Sequence, residues 1–111
     1  MPGPFEELAS LDRLVHEPAR LALLTALSAC RRADFMFLLN VTGLTKGNLS
    51  SHLGKLERAG LVTISKHIDG MQPVTYVELT RHGRAAIDRH WDRLNAVRKA
   101  ARTWKPATVR G

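Results

Sequence analysis

The sequence predicts a mainly α domain of the α+β class, in which helices surround a single β-hairpin. Three observations lead there. Apolar residues recur at helical spacing over most of the 111 residues. One β-branched region, LVTISKHI…PVTYVEL, alternates with period two around Asp69-Gly70. Capping residues and glycines fall where these patterns change.

Each element follows in order. Phe5 to Val15 carries Leu8, Leu11, Leu14 and Val15 on one helical face, and Pro18 breaks that helix near His16 while suiting the first position of the next. The second helix, PARLALLTALSAC, is apolar nearly all round and belongs at the centre of the core. Asp34 can cap a short helix over Phe35–Val41. Thr42-Gly43 forms a tight turn, Thr45 caps a helix running to about Ala59, and Gly60 stops it. The hairpin follows, with a loop expected to exceed two residues because Met71, Gln72 and Pro73 intervene. Thr80 caps a final helix from about Arg81 to Trp104. A short helix, a glycine turn, a second helix and a hairpin make a winged helix-turn-helix with a two-stranded wing. A single domain over residues 1–104 is expected, with a flexible tail at 105–111.

Length allows one modest core, and no apolar run approaches the roughly 18 residues of a membrane helix. The acidic N-terminus MPGPFEELASL lacks the pattern of a signal peptide, and Cys30 is a lone cysteine. Both lead to an expectation of a reduced, cytoplasmic protein. Cys30 ends an apolar helix, so a buried, inert thiol is expected ahead of a redox sensor. The net charge of +7 points to an anionic partner. Residues 1–80 hold eight Lys/Arg and eight Asp/Glu, whereas residues 81–111 hold nine Lys/Arg against Asp88 and Asp92, so the last helix carries the excess. That helix either meets nucleic acid or an acidic protein, or presents a solvated basic face.

The stretch VTGLTKGNLSSHLGKL identifies the partner more closely. On a wheel of about 100° per residue, Leu49, Leu53, Leu56 and Gly60 form a buried seam. Gly47, Ser51, Gly54, Lys55 and Arg58 lie opposite, with Asn48 beside them. Two glycines cost a helix interior roughly 0.5–1 kcal/mol each, which a face needing only solvation has no reason to accept. A helix entering the major groove needs small residues for close approach, hydrogen-bonding side chains for base edges, and cations for phosphates. The DNA-contacting set is then Thr45, Lys46, Gly47, Asn48, Ser50, Ser51, Lys55 and Arg58. His52, at the seam's edge, reads as a packing residue.

The last helix repeats Ile87, His90, Leu94, Val97, Ala101 and Trp104 at spacings of three and four, with Trp91 widening the stripe. One small core cannot cover so long a helix. A homodimer is expected through these residues together with Phe5, Leu8 and Leu11. The alternative is a helix folded back on its own domain.

The segments LDRLVHEPARLALLTAL, DFMFLLNVTGLTKGNLSSHLGKLERAGLV and TYVELTRHGRAAI resemble the MarR/ArsR-like winged helix-turn-helix regulators over about residues 11–90. The resemblance implies a homodimeric prokaryotic DNA-binding protein that usually represses transcription. Its recognition helix would be Thr45–Ala59 and its wing about Leu61–Leu79. Two departures stand out. The wing tip, Asp69-Gly70-Met71-Gln72, lacks the usual cations, leaving Lys66 as the wing's contact. Asp88-Arg-His90 resembles half of an ArsR-type metal site, but VRKAARTW supplies no second half. No metal or cofactor is expected.

No phosphate-binding loop, HExxH helix or GxSxG elbow is present, so an enzyme is not expected. The expected function is a sequence-specific regulator on a pseudo-palindromic operator, with half-sites roughly 10 bp or a multiple apart. Two alternatives remain: a winged-helix module that docks protein rather than DNA, and a non-specific DNA-coating protein. A pocket between the long helix and the core could take a small apolar effector, which the residues do not specify.

Overall fold

The computed structural model describes residues 3–105 and 108–111. The expected tail at 105–111 therefore falls partly outside the described residues. The elements are α1 (Pro4–Ala9), α2 (Pro18–Ser28), β1 (Ala33–Asp34), α3 (Phe35–Thr42), α4 (Lys46–Arg58), β2 (Val62–Asp69), β3 (Gln72–Leu79) and α5 (Arg81–Arg102). This is the winged helix-turn-helix order.

Three local expectations are corrected. The first helix ends at Ala9 rather than near His16. Ser10 turns its hydroxyl onto the Glu7 carbonyl at 3.0 Å, and the Asp12 carboxylate accepts from Leu14 N at 2.9 Å. Short polar side chains here offer the backbone a better partner than a continued helix. Leu11 and Val15 remain buried. The wing loop is two residues, Gly70-Met71, because Asp69 pairs with Gln72 and Ile68 with Pro73. Gly70 takes φ 65°, which supplies the turn. Pro73 lies one step beyond the hydrogen-bonded pair that flanks the turn, so β2 does not need its missing N–H. The sheet also has three strands, in the order β1-β3-β2. β1 adds only the pairs Ala33↔Val77 and Asp34↔Tyr76, too short to leave a sequence pattern.

The helix ends follow from their caps. Glu17 accepts from Ala19 N and Arg20 N ahead of α2, and Asp34 accepts from Phe37 N ahead of α3. Gly43 ends α3 at φ 69°, and Thr45 opens α4 by accepting from Asn48 N at 3.1 Å. At the other end of α4, Gly60 takes φ 77° and donates to Glu57 O while Leu61 N donates to Leu56 O, a Schellman closure.

The core gathers Leu23, Leu24 and Leu27 of α2, Leu38 of α3, the α4 seam Leu49, Leu53 and Leu56, Val62 and Val77 of the sheet, and Ile87 of α5. The α2 helix is central but not covered all round, which corrects the expectation. Ala22 and Ala29 are exposed, and with Pro18, Leu21, Ala26 and Trp91 they line an open apolar groove of about 740 Å³. Beyond the core the second half of α5 projects as an arm, and the molecule is 64 Å long by 26 by 21 Å. α1 lies along that arm, with Phe5 edge-on to Trp104 at 5.3 Å and Glu7 paired to Arg93 at 3.1 Å.

The joint between α4 and α5 is the tightest contact. Thr80 caps α5 by accepting from Gly83 N at 2.9 Å, donates its hydroxyl to Gly60 O at 2.6 Å, and its own N–H donates to Leu61 O. A Cβ on Gly83 would lie 1.9 Å from Leu61 O, so the two backbones touch. Gly83→Ala should therefore destabilise the fold by roughly 1–3 kcal/mol, read as a lowered midpoint in urea. Gly54→Ala should be mild by comparison, since its Cβ would meet only the movable Arg58 guanidinium, at 3.3 Å.

Candidate nucleic-acid interface

The seam of α4 turns inward and its other side turns out. Lys46, Gly47, Asn48, Ser50, Ser51, Lys55 and Arg58 are all exposed, as is the cap Thr45. No acidic residue occupies the first turn of α4, while Lys55 and Arg58 occupy the last. The free N–H groups at its start thus keep their positive end uncancelled. A Cβ on Gly47 would meet nothing within 4 Å, so packing does not require a glycine there. Gly54 differs, because the Arg58 guanidinium folds back over it. The face is small at its start and cationic at its end.

The wing carries Lys66 exposed on β2. Beside it, His67 Nε2 lies 3.0 Å from Ser65 Oγ, and its ring meets Tyr76 edge-on at 5.5 Å. Arg32 stacks on the same Tyr76 ring at 3.9 Å, a cation on the sheet that the sequence pattern does not single out. The tip itself is apolar and acidic, with Ile68, Asp69 and Met71 exposed.

The residues expected to form one dimer seam separate into two groups. Leu11, Ile87, His90 and Val97 are buried within the chain itself, which corrects their assignment as surface offered to a second copy. The core reaches up to Ile87, the loop before α2 covers His90, and α1 folds against the arm that carries Val97. Phe5, Leu8, Trp91 and Trp104 stay exposed, and Leu94 and Ala101 are half-buried. Trp91 is held upright by donating its indole N–H to Thr25 Oγ1 at 2.9 Å.

His90 is occupied by a neighbour rather than poised for a metal. Its Nε2 lies 2.9 Å from His16 Nδ1, one nitrogen donating and the other accepting. Burial, then the charges of His16 and Arg93, push the His90 pKa below its ordinary value, against a smaller upward pull from Asp12. Among the described residues, no group of three or more His, Cys, Asp or Glu is placed to hold a metal ion. Cys30 is half-buried, with Sγ 3.7 Å from the carbonyls of Ala26 and Leu27.

A part-buried polar cluster joins the back of α4 to the start of α2. Arg20 Nε donates to Leu14 O at 2.7 Å, Nη2 to Arg13 O at 3.4 Å, and Nη1 lies 3.1 Å from His52 Nδ1. Glu17 Oε2 is 3.5 Å from that same Nδ1 and 3.7 Å from Arg20 Nη1. Burial pushes the Glu17 carboxyl up, but the N–H groups of Ala19 and Arg20, with the Arg20 guanidinium, outweigh it and hold it below the ordinary value. His52 thus sits at the packing boundary, as its wheel position predicts. Arg20 escapes a reading of the sequence because a lone arginine in an apolar helix looks like an exposed charge.

The pattern of the winged helix DNA-binding domain family matches residues 19–97, most of the chain. The chain belongs to that family. It is similar to the transcriptional regulator homologue of Pyrococcus horikoshii OT3, at 35% identity over 88% of this chain and 96% of that one, with a TM-score of 0.81. It is 39% identical to an uncharacterised protein of Methanocaldococcus jannaschii over 60% of this chain and 70% of the relative. A MarR-family regulator from Silicibacter pomeroyi matches at 27% identity over 95% of this chain and 66% of its own, with a TM-score of 0.62. The fold of this chain is shared with regulators of the MarR family. No helix among the described residues is long and apolar enough to cross a membrane.

The histidine pair gives a pH prediction. His90 stays neutral in the fold at pH values where the unfolded chain, with a histidine pKa of about 6.5, takes up a proton. Stability should be flat above that value, fall as pH drops below it, and level off beneath the depressed folded pKa. Urea denaturation across this range should show the fall, and His90→Gln should flatten it.

Proposed function

We propose that the protein is a homodimeric, sequence-specific regulator that places α4 in the major groove of a pseudo-palindromic operator and represses transcription from it in the cytoplasm. The observation that carries this reading is the exposed face of α4, small at Gly47, polar at Asn48, Ser50 and Ser51, and cationic at Lys46, Lys55 and Arg58, in a chain of a DNA-binding family. Small residues let the backbone approach base edges, and the cations neutralise phosphates with release of counterions. Lys66 is the wing's contact with the backbone.

The dimer forms through the arm. Phe5, Leu8, Leu94, Ala101 and Trp104 leave apolar surface along two helices that have no core of their own. Exposed apolar surface of that kind is covered by association, and a two-fold axis there presents two copies of α4 to successive grooves. A second reading has one observation in its favour. Met36 and Phe37 on α3 and Ile68 and Met71 on the wing are exposed, as a protein-docking face would be.

Fluorescence anisotropy decides between them, with the duplex upstream of the protein's own gene and a scrambled duplex of equal length, at several salt concentrations. A specific regulator binds the first at least about a hundredfold more tightly, with a steep salt slope. Equal affinity for both indicates DNA coating, and binding to neither favours the docking module.

Three variants sharpen the test. Lys55→Ala should weaken binding to every duplex and lower the salt slope by about one. Asn48→Ala should change preference among sequences, with about 1–3 kcal/mol lost at a read base. Gly47→Ala should do two opposite things, raising fold stability by roughly 0.5–1 kcal/mol while weakening operator binding, since the added methyl points into open space. The arm has its own check: Leu8→Glu should shift the sedimentation coefficient from dimer to monomer.

A further inference from the structure

Arg20 is a charged side chain with only 9% of its surface exposed, and its guanidinium spans two parts of the molecule. Two of its nitrogens hold the carbonyls of Leu14 and Arg13, in the loop between α1 and α2, and the third reaches His52 on α4. A guanidinium has donors only. His52 Nδ1 must then be an acceptor, which places the imidazole proton on Nε2. A proton on Nδ1 would instead donate to Glu17 Oε2, and the two contacts are exclusive. The contact to Arg20 is the shorter, at 3.1 Å against 3.5 Å.

We propose that Arg20, Glu17 and His52 form a positioning cluster that fixes the recognition helix relative to the dimer arm. The inference rests on the DNA-binding reading above. Its geometry is a relay through two consecutive residues: His16 faces His90 on α5, and Glu17 faces Arg20 and His52. The loop joining the arm to the core is thereby pinned to both α5 and α4. The charged groups that reach His52 are Arg20 and Glu17 of the α2 start. On its own helix, Lys55 follows within a turn. The other element packed on α4 is β2, whose Lys66, His67 and Asp69 all lie in its outer half. Base-reading side chains must be held to within about 0.5 Å, so a lost anchor on the back of α4 costs discrimination before it costs folding.

The test measures discrimination, the ratio of affinities for the upstream and scrambled duplexes, so that added charge cancels. His52→Leu removes the acceptor and should lower the ratio about tenfold, the factor expected for one hydrogen bond to a charged group. His52→Asn restores an acceptor at the Nδ1 position and should keep the ratio near wild type. An unchanged ratio in His52→Leu, or an equal fall in His52→Leu and His52→Asn, would overturn the proposal. Two readouts need no DNA. Nitrogen-15 NMR of the histidine rings should find His52 protonated on Nε2 near neutral pH, and a proton on Nδ1 overturns the acceptor role. Amide exchange along α4 should accelerate in His52→Leu, and unchanged exchange overturns the positioning role. If wild type binds neither duplex, the DNA reading fails and these two measurements decide the cluster separately.

Discussion

The contact between Gly83 and the Leu61 carbonyl fixes where everything else can sit. Leu61 follows the Schellman end of α4, and Gly83 lies in the first turn of α5, so the end of one helix bears on the start of another with no side chain between. Thr80 closes the joint from both sides, capping α5 and donating to Gly60 O. The whole hairpin hangs between these two points, with β2 leaving at Val62 and β3 returning at Leu79. A joint of backbone on backbone cannot flex as side-chain packing does. The wing, α4 and the start of α5 are therefore a single rigid unit.

The arm is built on a different principle. Its core-proximal half is clipped to α2, with Trp91 donating to Thr25 and Arg84 to Ser28 O, while among the described residues its far half is covered by the short helix α1. The same helix thus passes from a buried environment at Ile87 to an exposed one at Trp104. This division explains why a regular spacing of apolar residues along α5 mixes two roles. Packing uses the stripe where a core lies beneath it, and leaves it exposed where none does.

Between the rigid unit and the arm lies the loop before α2, and its chemistry is polar. His16 and Glu17 face opposite ways, one toward α5 and the other toward α2 and α4. Buried polar contacts of this kind contribute less to stability than apolar packing but fix geometry more sharply, because each donor has one acceptor at one angle. They also respond to protons in a way that leucines do not.

Much of the fold is legible in the sequence alone. The capping roles of Asp34, Thr45 and Thr80, the stops at Gly43 and Gly60, and the inward seam of α4 are local, set by side-chain chemistry within a few residues. The outward face of α4 follows from the same periodicity, so residue spacing is enough to delineate the candidate interface. Non-local contacts leave no such trace. The two-residue strand β1 exists only because β3 passes beside it, and the burial of His90 depends on where the loop at His16 lands. Arg20 looks like any surface arginine until Leu14 O and His52 are brought to it. Local sequence determined which helices form and which side of α4 faces out, because those depend on neighbours along the chain. Tertiary structure alone decided which apolar and polar residues are consumed within the chain, because burial depends on what distant segments place on top of them.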